Sequence, residues 1–158
     1  MLLLRRTVVV FPLAAAALAF FLMGSASAKQ SADAIARLRF MAGSWRCVVR
    51  GGVSNSEAFD LTYTFSPDGK WMEERQTGGD WEVQMWGFDS RKGKLVAYQF
   101  TPDGVFTKTV EGWVNGVFKS TRDENGATVS IHPKNDGSFD WVIESANHAY
   151  VVTEVCRR

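Results

Sequence analysis

Two neighbouring segments of this chain concentrate side chains able to fix a ligand. Over Trp71 to Thr77, an extended strand puts Trp71, Glu73 and Arg75 on one side and Met72, Glu74 and Gln76 on the other. Over Trp81 to Phe88, Trp81, Val83 and Met85 oppose Glu82, Gln84, Trp86 and Phe88. Neither strand has a cleanly apolar side. A solid core asks for one apolar face per strand, whereas a ligand cavity combines apolar wall with a few polar groups. We take Trp71, Met85, Tyr63 and Tyr98 as candidate wall, and Glu73 and Arg75 as candidate polar anchors. Arg122 and Trp141 are further candidates for the interior. The competing reading makes Glu73, Glu74 and Arg75 solvated cross-strand pairs, with Trp71 and Trp81 covering a rim.

Signatures of catalysis are scarce. The chain has no G-x-S-x-G, no H-E-x-x-H, no phosphate-cradling glycine loop and no dinucleotide fingerprint. No catalytic residue is nominated, so the chain reads as a binding protein before an enzyme. Only His132 and His148 are available, which excludes a three-histidine metal centre. His132 shares a face with Thr128 and Ser130, opposite Val129 and Ile131, and is expected at the surface. His148 follows Ala146-Asn147 and is expected in a turn at a barrel mouth. Neither a metal nor a resident cofactor is expected.

Cys47 and Cys156 are the two cysteines, and no C-x-x-C spacing suggests redox work. Residues 1–28 read as a secretory signal peptide: Arg5-Arg6, an apolar run from Thr7 to Met23, and an Ala26-Ser27-Ala28 cleavage site. The alternative is an uncleaved membrane anchor. Cleavage leaves residues 29–158 as one domain in a periplasmic or extracellular, oxidising setting, where a Cys47–Cys156 disulfide is the economical state. Two of the 18 basic residues leave with the leader, so 16 face 17 acidic ones. That balance, evenly scattered, gives no electrostatic case for nucleic acid or for an anionic membrane, and no membrane insertion is expected after cleavage.

The elements that position these residues follow from the turns. Pro67-Asp68-Gly69, Gly78-Gly79-Asp80, Ser90 to Gly93, Pro102-Asp103-Gly104, Asn115-Gly116, Asn125-Gly126 and Asn135-Asp136-Gly137 separate short runs rich in Val, Thr, Phe, Tyr and Trp. In Ala58 to Phe65 the large residues Phe59, Leu61, Tyr63 and Phe65 alternate with small or polar ones, which a helix would scatter. Strands are expected at about 44–50, 58–65, 70–77, 81–88, 94–100, 105–113, 117–122, 127–133, 138–145 and 149–156. A short N-terminal helix over Ser31 to Phe40, capped by Ser31 or Asp33, precedes them. The expected fold is all-β: a single antiparallel up-and-down β-barrel of about ten strands. A two-sheet sandwich is the alternative. Closure would bring the first and last strands together, and with them Cys47 and Cys156.

Phe40-Met41-Ala42-Gly43-Ser44-Trp45 resembles the start of the calycin superfamily, the lipocalins, fatty-acid-binding proteins and related barrels. With the leader, the segment is most similar to small secreted bacterial lipocalin-like proteins. The resemblance implies structural roles for Gly43 and Trp45, the indole plugging the closed end of the barrel beneath Arg157 or Arg158. Gly51 to Ser56 is too short for the two-helix lid of fatty-acid-binding proteins. The nitrobindin-like branch holds haem through a histidine near the C-terminus, a region where His148 stands among residues that match poorly.

The functional expectation is a secreted barrel binding a small hydrophobic or amphipathic molecule in its lumen. Two alternatives stay open: a haem-binding barrel using His148, or a filled barrel acting as a protein-interaction or envelope-stress module. Of the six tryptophans, Trp45 has the plug role and the other five divide between lumen and exterior; outward ones would suggest a homodimer or another protein surface.

Overall fold

The computed structural model of the 158-residue chain describes residues 33–51, 58–78 and 80–158. The leader and the start of the expected helix at Ser31 lie outside the described residues, as does most of the loop before the second strand.

Helical turns over residues 33–41 open the domain, tightening to a 3₁₀ helix from Arg37 to Met41. Asp33 sits inside these turns and does not cap them from outside. Ten strands follow: β1 Gly43–Arg50, β2 Ala58–Phe65, β3 Trp71–Thr77, β4 Glu82–Asp89, β5 Lys94–Thr101, β6 Gly104–Val114, β7 Val117–Arg122, β8 Thr128–Pro133, β9 Phe139–Glu144 and β10 Val151–Arg157. Each pairs antiparallel with its neighbour in sequence, and β10 returns to pair with β1, so the sheet closes as an up-and-down barrel and the sandwich alternative falls. Closure leaves no strand edge exposed.

The turn chemistry explains the register. Asn115 and Gly116 both take positive φ, 51° and 81°, as a tight two-residue hairpin between β6 and β7 requires. Asn125-Gly126, expected as a second such hairpin, instead ends a four-residue loop closed by Arg122 N–H donating to Ala127 C=O at 2.8 Å. Only Gly126 has positive φ there; Asn125 uses its side chain to accept from Ala127 N–H. The seam is fastened covalently. Cys47 and Cys156 stand directly opposite each other on β1 and β10 and form the disulfide, a loop of sequence separation 109.

One end of the barrel is filled. Ile35, Leu38 and Met41 of the helical segment are fully buried, and Trp45 donates its indole N–H to Met41 C=O at 2.6 Å. Phe139 meets Trp45 edge-on at 4.8 Å between centroids and Tyr63 at 6.0 Å. Deeper in, Trp86 lies 5.6 Å from Trp141 and 6.1 Å from Phe118. These aromatic layers form a floor, above which the lumen changes character.

Candidate functional site

Strand alternation decides what the lumen contains. On β3 the inward residues are Met72, Glu74 and Gln76; on β4 they are Glu82, Gln84 and Trp86. Ala97 and Gln99 of β5 and Lys108 and Val110 of β6 continue the inner face, followed by Ser120 and Arg122 of β7. Val129, Trp141, Ile143 and Glu154 complete it from β8, β9 and β10. The part of this face beyond Met72, Trp86, Ala97, Val110 and Ser120, together with Ala127 and Tyr150, lines a partly open cavity of about 130 Å³, the space of about four water molecules at ~30 Å³ each.

The polar groups on this wall are more deeply buried than most. Glu74, Gln84 and Gln99 are each 4% exposed and Lys108 is 3% exposed. They form one network. Lys108 Nζ donates to Gln84 Oε1 at 2.6 Å, and Gln84 Nε2 donates to Glu74 Oε1 at 3.2 Å and to the Glu82 carboxylate. Glu82 Oε2 accepts from Gln99 Nε2 at 2.6 Å, while Gln99 Oε1 accepts from Arg122 at 2.8 Å. Each glutamine therefore separates a cation from a carboxylate, its oxygen toward the cation and its NH₂ toward the acid. Among the described residues, no carboxylate lies within ion-pair distance of Lys108 or Arg122.

Glu74 Oε2 and Trp86 Nε1 are buried outside strict hydrogen-bond geometry, but the indole N–H stands near enough to the Glu74 carboxyl to favour its charged form, whereas Arg122 Nε is buried with no hydrogen-bond partner among the described residues. Such atoms are rare in native interiors because each loses its hydration without replacement. The Glu154 carboxylate also lines the cavity and accepts no hydrogen bond among the described residues.

Titration reflects the crowding. Burial, then repulsion from Glu82, raises the Glu154 carboxyl to about 7. The Glu74 carboxyl is also raised, first by burial and then by Glu82, with Lys108 acting the other way. Burial lowers the Lys108 ammonium to about 8 against the pull of Glu74 and Glu82. Burial likewise pushes up the Tyr63 phenol, whose oxygen accepts from Trp141 Nε1 at 2.8 Å.

Of the residues nominated from sequence, Tyr63 is buried on the inner face. Trp71, Glu73, Arg75, Met85 and Tyr98 occupy the outward positions of β3, β4 and β5, so the candidate wall is corrected at Trp71, Met85 and Tyr98 and the candidate anchors at Glu73 and Arg75. The Trp71 ring covers Gly87, where a Cβ would lie 2.3 Å from it. Glu73 and Arg75 form an exposed ion pair with each other at 2.5 Å, and Tyr98 bonds Asp89 and Lys92. The physical reason is a parity choice: both faces of β3 carry mixed residues, and the barrel turned Met72 and Glu74 inward. Glu74, expected as a solvated partner, is the buried one.

His148 has φ 57° in the β9–β10 turn and bonds Glu144; it is exposed and is not among the residues lining the cavity. His132 bonds Ser130 on the outer face, as expected. The cation over the Trp45 ring is Arg158, at 4.6 Å, and not Arg157. Cys156 points inward, so its neighbour Arg157 points away, and Arg158 returns to cover the end, bonding Phe40 C=O and Ala42 C=O.

Sequence reasoning missed Glu82, Gln84, Gln99, Lys108 and Glu154 as lumen residues. A signal existed in β6, where Lys108 shares its face with Phe106 and Val110. A lone lysine on an otherwise apolar face marks a buried cation.

No family of known proteins matches this chain, and no curated protein does. Among solved structures it is similar to a redesigned β-barrel at 10% identity and a TM-score of 0.38, over 75% of this chain and 91% of that one. The class of the fold, a closed antiparallel barrel, rests on the strand pairing itself. Among the described residues no helix is long and apolar enough to cross a membrane.

Proposed function

We propose that this protein is an exported, calycin-like barrel that holds one small amphipathic molecule in its lumen. The observation that carries the reading is the partly open cavity beside the aromatic floor, on whose wall Arg122 Nε and the Glu154 carboxylate oxygens have no hydrogen-bond partner among the described residues. A ligand with a polar end would satisfy those atoms while its remainder rested on Trp141, Val129 and Ile143. Of the hydrophobic and amphipathic cargoes expected from sequence, the charged wall favours the amphipathic one, because an apolar cargo would leave these groups desolvated and unpaired. Export is supported by the leader-like first 28 residues and by the disulfide at the seam.

Native against denaturing mass spectrometry of protein purified from its own compartment tests this. The expected result is extra mass that leaves on denaturation and is absent from Ala127→Phe, which narrows the cavity at a wall position. Bare mass under native conditions, with the same mass in the variant, would overturn the reading.

A further inference from the structure

The lumen is bipolar, and its two poles sit on different walls. Lys108 and Arg122 are direct cross-strand partners on β6 and β7, so two cations stand side by side. Going round the barrel through β8 and β9, the wall is apolar, with Val129, Trp141 and Ile143, until Glu154 on β10. Going the other way, Gln99, Gln84 and Glu82 lead to Glu74 on β3.

Each pole has unused hydrogen-bonding capacity. Arg122 donates to Gln99 and leaves Nε buried and unpartnered among the described residues; Lys108 donates to Gln84. On the acidic side the Glu154 carboxylate lines the cavity and accepts no hydrogen bond among the described residues, and Glu74 Oε2 is buried with the Trp86 indole beside it. The unmet needs are thus of both kinds, donors on one wall and acceptors on the other. A ligand carrying only a cation would leave Arg122 unanswered. One carrying only an anion would leave the acidic wall of Glu74, Glu82 and Glu154 without a donor. A single metal ion does not fit, since among the described residues no three potential metal-ligating side chains gather closely enough to hold one.

Resting on the luminal reading above, we infer that the ligand is a small zwitterion of the amino-acid class, its carboxylate on Lys108 and Arg122 and its ammonium on Glu154 and Glu74. The Gln84 and Gln99 amides keep the protein's own charges apart, so that both poles stay available to the ligand. A cavity of about 130 Å³ limits the cargo to a few heavy atoms between the two charges. The Trp141 ring, with Val129 and Ile143 beside it on the wall, suits the short alkyl chain between them.

Calorimetric titration with β-alanine and γ-aminobutyrate, alongside butyrate and butylamine, tests the inference. A zwitterion is expected to bind at least tenfold more tightly than either singly charged analogue, and Arg122→Gln or Glu154→Gln is expected to weaken it by tenfold or more. In wild-type protein the Trp86 and Trp141 indole N–H resonances are expected to shift with the zwitterion, a readout that needs no variant to fold. Equal binding of butylamine, equal binding of butyrate, or no binding of either zwitterion would each overturn it. A native-mass adduct of another kind, together with failure of both zwitterions, would fell the ligand class and leave the luminal reading standing.

Discussion

Gln84 stands between Lys108 and Glu74, accepting from the ammonium at 2.6 Å and donating to the carboxylate at 3.2 Å. All three side chains are at most 4% exposed. A buried cation and a buried acid are thus joined through a neutral amide instead of touching, which keeps both ionic groups solvated by protein dipoles. Gln84→Leu preserves much of the volume and removes the relay. The expected cost is about 2–3 kcal/mol, since Lys108, Glu74 and Glu82 each lose a hydrogen bond. Urea unfolding at neutral pH measures it, and a loss below half of that would mean the network contributes little.

The same network makes stability depend on pH in a particular way. Glu154 titrates near 7 in the folded protein against 4.5 ordinarily. Between those values the native state binds more protons than the unfolded chain, so this group's contribution falls as pH rises through the window. The raised Glu74 acts in the same direction. Lys108, lowered to about 8 from 10.5, acts oppositely: the unfolded chain holds more protons between 8 and 10.5, so stability recovers there. From Glu154 and Lys108 a minimum between pH 7 and 8 is expected. Glu154→Gln should raise stability at pH 7.5 by ~2 kcal/mol and flatten the fall between pH 5 and 7; an unchanged profile would contradict the assignment.

The Cys47–Cys156 disulfide fastens the seam where the first and last strands meet. Because its sequence separation is 109, chain entropy predicts a stabilisation of about 4–5 kcal/mol. Cys47→Ser/Cys156→Ser should lower the denaturation midpoint accordingly. Dithiothreitol should do the same to wild type and nothing to the double variant.

Arg158 covers the Trp45 indole and bonds Phe40 and Ala42 carbonyls. Its replacement by Ala should cost ~1–2 kcal/mol, from the cation–π contact and the two carbonyl bonds. Arg157→Ala, on the outward side, should stay within about 0.5 kcal/mol. Equal effects at the two positions would show that proximity to the plug does not matter.

Gly87 lies beneath the Trp71 ring, with space for hydrogen only. Gly87→Ala should destabilise by roughly 1–3 kcal/mol through displacement of that ring. Adding Trp71→Ala should make the alanine at 87 nearly free, a coupling that a thermal-unfolding double-mutant cycle reads directly.

Strand positions, most turns, the preceding helical segment, and the pairing of Cys47 with Cys156 were legible along the chain. These depend on local alternation, on residues tolerant of positive φ, and on the fact that a ten-strand meander must close by joining its ends. In β2 the inner face was legible too, because Phe59, Leu61, Tyr63 and Phe65 contrast sharply with Ala58, Asp60, Thr62 and Thr64. The site was not. On β3 the sets Trp71-Glu73-Arg75 and Met72-Glu74-Gln76 are nearly equal in polarity, so alternation could not choose between them, and a one-residue change of parity exchanges lumen for surface. Pairing across the closed barrel made that choice: it placed Glu74 beside Gln84, within one network with Lys108 from β6 and Arg122 from β7, residues separated by tens of positions in the chain. A charge so far away in sequence is a partner only once the sheet has closed, and it is that closure which turned scattered polar residues into a lumen.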